Sequence, residues 1–313
     1  MNDATPRRLS GSLLERAAAM YDFAPTPVSI APDAPAPAFA PAATPVDPVV
    51  AETPSPQPEV APARPVVRRF APVDRDALAE RGMLVPGGPV TPLGEEFRLV
   101  KRQLLLTARA VADTQPQKSR LVLVCSARPD DGKTFCAVNL ALSMAAEKDV
   151  EVVLVDGDLV KPDVLASLGI ENDGPGLLDA LGDAAIDVES CIVDTDVPQL
   201  SVLPAGTRSN SDTELLGSAR AAVVLDRLAS ANPRRIVIFD SPPALAASPA
   251  SVLAGQVGQV LVVVRADRTG ERDLREAVSL LDGCDHVQLV INSVAFQPGG
   301  RRFGGYYGRE PAE

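Results

Sequence analysis

The sequence predicts a doubly wound α/β domain, a mostly parallel sheet covered by helices on both faces. Three observations carry that prediction. Short apolar runs rich in Val and Ile recur from Ser119 onward: "LVLVCSA", "EVVLVDGD", "LSVLPAG", "RRIVIFDSPP", "QVLVVVRAD" and "VQLVINSV". They lack polar alternation, as strands buried on both faces do. Helical patterns lie between them: in "GKTFCAVNLALSMAAEKD" the residues Phe135, Val138, Leu142 and Ala145 recur at three and four residues and so share one helical face. Finally, a glycine-bearing loop, "ARPDDGKTF", joins the first strand to that helix. Ligands of open α/β sheets sit at such strand ends.

The region ahead of this alternation reads differently. The chain has 313 residues, 46% of them hydrophobic, and 15 of its 30 prolines precede Val73. Stretches such as "APDAPAPAFAPAATPVDPVV" hold too few large apolar side chains to offset the entropy of ordering. Residues 1–73 are therefore expected to be a short helix, "GSLLERAAAMYDF", and a disordered, semi-extended Pro/Ala linker. The folded domain is expected over 74–298, with a flexible tail over 299–313. At its start, "TPLGEEFRLVKRQLLLTARAVAD" sets Phe97, Val100, Leu104 and Ala108 on one face, which predicts a helix before the first strand.

Composition excludes several classes of function. A net charge of −11 argues against a nucleic-acid surface, which needs clustered Lys and Arg. Cys125, Cys136, Cys191 and Cys284 are scattered without CxxC spacing, so neither a disulfide framework nor a zinc site is implied. His286 is the only histidine, which excludes a Ser/His or Cys/His hydrolase. No run approaches the ~20 apolar residues of a membrane span, and the first residues lack a secretory apolar core. A cytoplasmic protein is expected.

The chemistry lies at three strand ends. The loop from Ala127 to Phe135 follows an apolar strand and opens a helix, the setting of a phosphate-binding loop. Gly132 lets the backbone approach, Lys133 suits β and γ phosphates, and the Thr134 hydroxyl suits Mg²⁺. The unpaired N–H groups of the helix start, over Asp131 to Phe135, add a positive dipole end. The carboxylates of Asp130 and Asp131 repel a triphosphate unless they point to solvent. "VVLVDGDLVKP" puts Asp156 and Asp158 at the end of the second strand, on the same side if the strand continues, where paired carboxylates hold Mg²⁺ or take a proton. "IVIFDSPP" puts Asp240 after four apolar residues, the pattern of a second magnesium-facing aspartate.

These stretches resemble the Walker A, Walker A′ and Walker B motifs of the bacterial tyrosine kinases (BY-kinases) that govern exopolysaccharide and capsule synthesis. "GPGLLDAL", "SVLPAGTRSNSDTELL" and "LVINSV" resemble weaker blocks of the same family, so the likeness covers about Thr91 to Val294. "EEFRLVKRQLL" resembles the family's E-x-x-R-x-x-R oligomerisation helix, with Glu95 and Arg98 matching and Lys101 in place of the last arginine. The leading helix resembles that of autokinases in exosortase (XrtA)-linked systems. The pattern departs from the family at Val160, usually arginine, at Asp130, commonly glycine, and at Pro249, often aspartate.

The resemblance implies a P-loop NTPase fold with a deviant Walker A of the MinD/ParA type and an ATP- and Mg²⁺-dependent tyrosine autokinase. Lys133 and the loop backbone would bind phosphates. Thr134, Asp158 and Asp240 would organise Mg²⁺, and Asp156 would accept the tyrosine proton. Asn292 is a candidate for the adenine edge or for a structural strand-end role. Tyr306 and Tyr307, in "RRFGGYYGRE", would be the phosphoacceptors, in trans within a homo-oligomer. A membrane chain-length-determinant (polysaccharide co-polymerase) protein would hold the kinase at the inner membrane. Two alternatives stand beside this reading: a partitioning or positioning ATPase of the ParA/MinD type, in which Arg128 occupies the place of a signature lysine, and a nucleotide-gated regulator that transfers little.

Overall fold

Alternate residues of each central strand serve two different cores, and this is why the strands read as uniformly apolar. The computed structural model describes residues 67–171, 174–209 and 212–294. Within them the six expected runs become β2 (Leu121–Ser126), β3 (Glu151–Asp156), β5 (Leu200–Leu203), β6 (Arg235–Asp240), β7 (Gln259–Arg265) and β8 (Val287–Asn292). Two short strands, β1 (Arg69–Phe70) and β4 (Val193–Asp194), complete a sheet of order β1-β4-β5-β3-β6-β2-β7-β8. All neighbouring pairs are parallel except β4 with β5. Leu121, Leu123 and Cys125 enter one core while Val122 and Val124 enter the other, the period of two that a pleated strand dictates.

Helices cover both faces. One core receives α1 (Arg75–Glu80), α2 (Pro92–Ala112), α3 (Lys133–Ala145) and α4 (Val164–Ser167). The other receives α5 (Leu177–Gly182), α6 (Val188–Cys191), α7 (Asp212–Leu216), α8 (Ala219–Ser230), α9 (Pro249–Ala254) and α10 (Glu271–Leu280). Helix α2 is the one expected ahead of the first strand: Thr91 caps it by accepting from Gly94 N, and Pro92 stands at its first turn, both favourable start signals. Its inner face holds Phe97, Leu104 and Ala108, with Val100 partly buried. Lys101 is also buried, donating to Ser143 O at 2.8 Å and pairing with Glu147 at 2.6 Å. Pro249 starts α9.

Two expectations change. The folded region begins before Asp74: Arg69–Phe70 pairs with β4 and Val73 is buried. A two-residue strand carries no periodicity, so composition alone set the boundary late. The last strand is not buried on both faces either, since Leu289 and Ile291 are 54% and 64% exposed. Among the described residues β8 is an edge strand with a neighbour only on its β7 side. The expected leading helix, the linker and the tail carrying Tyr306 and Tyr307 lie outside the described residues.

At the amino ends of β3 and β6 a buried charge cluster ties β1 to the sheet. Arg235 is 2% exposed; its Nη1 donates to Glu189 Oε1 at 2.6 Å and its Nε to Glu151 Oε1 at 2.7 Å, while Arg68 reaches the same Glu189. Removing one partner of such a pair leaves an uncompensated buried charge. Glu189→Ala is therefore expected to lower unfolding free energy by about 3–5 kcal/mol, whereas Arg68→Ala, at the rim, costs about 1 kcal/mol. Urea midpoints of the two variants check this, and equal midpoints would contradict it.

Candidate active site

The carboxyl ends of β2, β3 and β6 lie side by side, because β6 separates β2 from β3 and pairs with both. Asp156 and Asp240 are register partners. The crossover from β6 to the β3 end is tight: Gly157 N donates to Asp240 O at 2.7 Å, and a Cβ at Gly157 would meet that oxygen at 2.8 Å. Only glycine permits this approach.

The loop after β2 is shaped from within. Gly132 has φ 97° and caps α3 without a side chain, and a Cβ there would lie 2.1 Å from Asn292 Nδ2. Asp130 also takes a positive φ, 63°, a conformation Asp tolerates better than most residues. The side chain of Asp130 is 70% exposed, and its carbonyl accepts from Arg265 Nη1 at 2.7 Å. Asp131 does the opposite of pointing to solvent. It is fully buried, with Oδ2 accepting from Arg128 N at 3.0 Å. Its carboxylate is thus turned into the loop, leaving only its backbone on the ligand side. Asn292 Nδ2 donates to Asp131 O at 3.0 Å, and its Oδ1 accepts from Ser293 N, so both ends of this amide hold backbone.

Lys133 and Thr134 bring the three strand ends into contact. Lys133 Nζ pairs with Asp158 Oδ2 at 2.8 Å, and Thr134 Oγ1 donates to Asp240 Oδ2 at 2.6 Å. Asp158 Oδ1 accepts from Lys161 N at 3.0 Å. The second strand stops at Asp156, so Asp156 and Asp158 do not share a side. Asp156 Oδ2 instead accepts from Val164 N at 3.0 Å and holds the start of α4. The segment from Lys161 to Ser167 divides two cavities of about 460 Å³. Lys133, Gly132 and Thr134 line the first, whereas Asp156 lies in the wall of the second, against Pro162, Leu165 and Ile170.

The electrostatics follow from burial. Desolvation, together with the neighbouring Asp240, pushes Asp156 up to about 7. Desolvation likewise pushes Asp240 up to about 7 against the opposing pull of Lys133 and Thr134. Burial alone would lower Lys133, but Asp240, Asp158 and Asp156 outweigh it and hold the ammonium charged. Burial, then Asp240, raises the Cys125 and Cys136 thiols to about 12, so both stay neutral and serve as packing.

Asp156 Oδ1 and Asp240 Oδ1 are buried without a hydrogen-bond partner. The orphaned oxygen of Asp240, whose other oxygen accepts from the Thr134 hydroxyl, suits a hard cation. Among the described residues no three His, Cys, Asp or Glu side chains converge on one ion position. Mg²⁺ at a nucleotide needs only one or two carboxylates, the remainder coming from phosphate and water. Thr134, Asp240 and Asp158 fit that role.

No family model matches the sequence. EpsB of Ralstonia nicotianae, named a tyrosine-protein kinase, is 31% identical over 201 residues, 62% of this chain and 26% of EpsB. The tyrosine-protein kinase YwqD of Bacillus subtilis is 27% identical over 211 residues, 67% of this chain and 84% of YwqD. The crystal structure of the VpsO kinase domain superposes with a TM-score of 0.50 at 29% identity, covering 63% of this chain and 98% of that domain. The described domain is similar to these tyrosine-protein kinases. The chain spans about a quarter of EpsB, so its likeness to that protein concerns the kinase portion alone.

Motif reading missed Arg81 and Lys161, which line the first cavity together with the phosphate loop, and Arg265, which holds the loop carbonyl of Asp130. Arg81 and Arg265 lie in no motif; Lys161 lies within the A′ stretch "VVLVDGDLVKP", which assigned it no role. Two predictions arise here. A carboxyl whose folded value, about 7, lies above its unfolded value, 3.8, binds more protons folded than unfolded. The stability from Asp156 and Asp240 is thus fully present below about pH 4 and is lost as pH rises through about 7. Thermal melts of the metal-free domain between pH 4 and 8 should decline over that window, and Asp156→Asn should flatten the decline. For Asn292, loss of its support of the loop should weaken ATP and GTP alike; Asn292→Ala with an altered ATP-to-GTP ratio in calorimetry would show that it reads the base.

Proposed function

We propose that this protein is an ATP- and Mg²⁺-dependent protein-tyrosine autokinase that regulates exopolysaccharide synthesis or export. The observation that carries this reading is the contact of all three motifs: Lys133 with Asp158, and Thr134 with Asp240, at adjacent strand ends. The similarity to EpsB and YwqD supports it. Lys133 and the loop N–H groups bind the phosphates, while Thr134, Asp158 and Asp240 hold Mg²⁺. The bound ion would neutralise charge on the phosphates and orient them. Positioning and electrostatics account for most of the rate in such transfers.

Asp156 is the proposed proton acceptor for the tyrosine hydroxyl. Its Oδ1 is free of partners, but its Oδ2 is bound to Val164 N, so substrate must reach it from the cavity on its own side of α4 or displace that segment. Tyr306 and Tyr307 are the proposed acceptors. A homo-oligomer of the exosortase-linked type, held at the inner membrane by a chain-length-determinant protein, is the proposed assembly. No helix of the described residues is long and apolar enough to cross a membrane. The positioning-ATPase alternative is weaker because Arg128 Nε is paired at 2.5 Å with Asp273 of the same chain, where that reading wants a free lysine.

Lys133→Met removes the phosphate-directed charge and should abolish ATP binding and autophosphorylation together. Asp156→Asn keeps an acceptor for Val164 N and should leave ATP bound while reducing phosphotyrosine formation about 10²-fold or more. Calorimetry and phosphotyrosine mapping of purified protein check both. Wild-type protein that binds Mg-ATP and never labels tyrosine, with or without the cytosolic part of a membrane partner, would instead favour a nucleotide-gated regulator. Labelling that persists in Tyr306→Phe/Tyr307→Phe would move the acceptor elsewhere.

A further inference from the structure

The first cavity contains more positive charge than Lys133 alone supplies. Lys133 already faces a carboxylate, Asp158, at 2.8 Å. Arg81 and Lys161 line the same cavity beside Gly132 and Thr134. Among the described residues the Arg81 guanidinium makes one hydrogen bond, Nη1 to the neutral Ser167 Oγ at 3.1 Å. Lys161 is fixed through its backbone N, which donates to Asp158 Oδ1, and its ammonium makes no ion pair among the described residues. Two acidic groups also reach the cavity. Asp130 is exposed and distant from Arg268 by 3.9 Å, and Asp163 faces Ser167 Oγ at 3.5 Å. Neither meets Arg81 or Lys161 in an ion pair.

Arg81 is held in this position by packing, since it is the C-cap of α1. Leu78 of that helix is fully buried in the core that contains α3 and α4. Asp74 N donates to Leu168 O at 2.9 Å, Met83 N to Leu78 O at 2.9 Å, and Leu84 N to Asn139 Oδ1 at 2.7 Å. The short helix is therefore fastened on both sides of Arg81 to the elements that carry the phosphate loop. A guanidinium in this setting, with donors left over and no carboxylate, suits a phosphoryl group.

We propose that Arg81 and Lys161 form a second phosphoryl-binding pole, opposite the phosphate loop, that contacts the terminal phosphate end of the ligand. The inference rests on the nucleotide reading above and adds to it two residues to which its motifs assign no role, one of them at the C-cap of a helix that precedes β2. The ligand chemistry is a phosphoryl dianion, and it has two possible sources: the γ-phosphate of ATP, or the phosphotyrosine product.

The test is a binding comparison on the full-length chain with Mg-ATPγS, Mg-ADP and a phosphotyrosyl peptide as separate probes. Arg81→Ala and Lys161→Ala should each weaken ATPγS binding about tenfold while changing ADP binding less than about threefold, as loss of a charge-assisted contact to the terminal group predicts. If phosphopeptide binding falls instead and ATPγS is unchanged, the pole serves the product. Arg81→Lys should recover part of the loss. Arg75→Ala breaks the salt bridge from the first residue of α1 to Asp196, at 2.6 Å, and should leave all three affinities unchanged. Melting temperatures without ligand separate misfolding from lost contact. Wild-type affinities of Arg81→Ala and Lys161→Ala for all three probes overturn the proposal while leaving the nucleotide reading intact. An equal loss in Arg75→Ala and Arg81→Ala also overturns it, because α1 would then act only as a brace. A wild-type chain that binds no Mg-nucleotide overturns both.

Discussion

Everything at this site depends on two carboxylates, Asp156 and Asp240, buried side by side at the ends of paired strands. Ionised carboxylates away from water are costly, and two of them repel each other as well. The domain meets this cost partly with Lys133 and Thr134, which the phosphate loop supplies from the next strand. The loop, the A′ turn and the β6 end are thus held together by the same charges that would engage a ligand. Binding and folding share one set of contacts here.

That sharing shapes the surroundings. Glycine at 157 lets the A′ turn approach the β6 carbonyl, and glycine at 132 leaves room for Asn292. Asp131 seals the back of the loop, and Arg265 fixes its front through the Asp130 carbonyl. Both faces of the sheet are closely filled, so a change in any of these contacts would be transmitted rather than absorbed. Helix α4, pinned by Asp156 through Val164 N, stands between the phosphate side and the Asp156 side. A phosphoryl transfer that uses both must involve this helix or the chain around it.

The opposite end of the sheet has a separate function. Arg235, Glu189, Glu151 and Arg68 form a buried ion cluster around the short strands β1 and β4. Such clusters contribute geometry more than stability. Here the geometry is that of the entering chain: Arg68 and Val73 fix the segment that leads into α1. The position of Arg81 beside the phosphate loop follows from that anchoring.

The sequence by itself determined the fold class and six of the strands, because uniformly apolar runs and helical spacing are local signals that tertiary packing had no reason to override. It also placed Lys133 and Thr134 at a helix start, Asp240 at a strand end and Asp158 just past one, because those positions are set by local backbone geometry. Only the tertiary structure decided which carboxylates meet. Asp156 and Asp158, two residues apart, face different cavities because the strand ends between them. The inward turn of Asp131, the bracing of the loop by Asn292 and the arrival of Arg81 each depend on partners between 3 and 161 positions away in sequence. The two-residue strands β1 and β4 were illegible for the same reason: they exist only through their pairing with neighbours, and no period in the chain announces them.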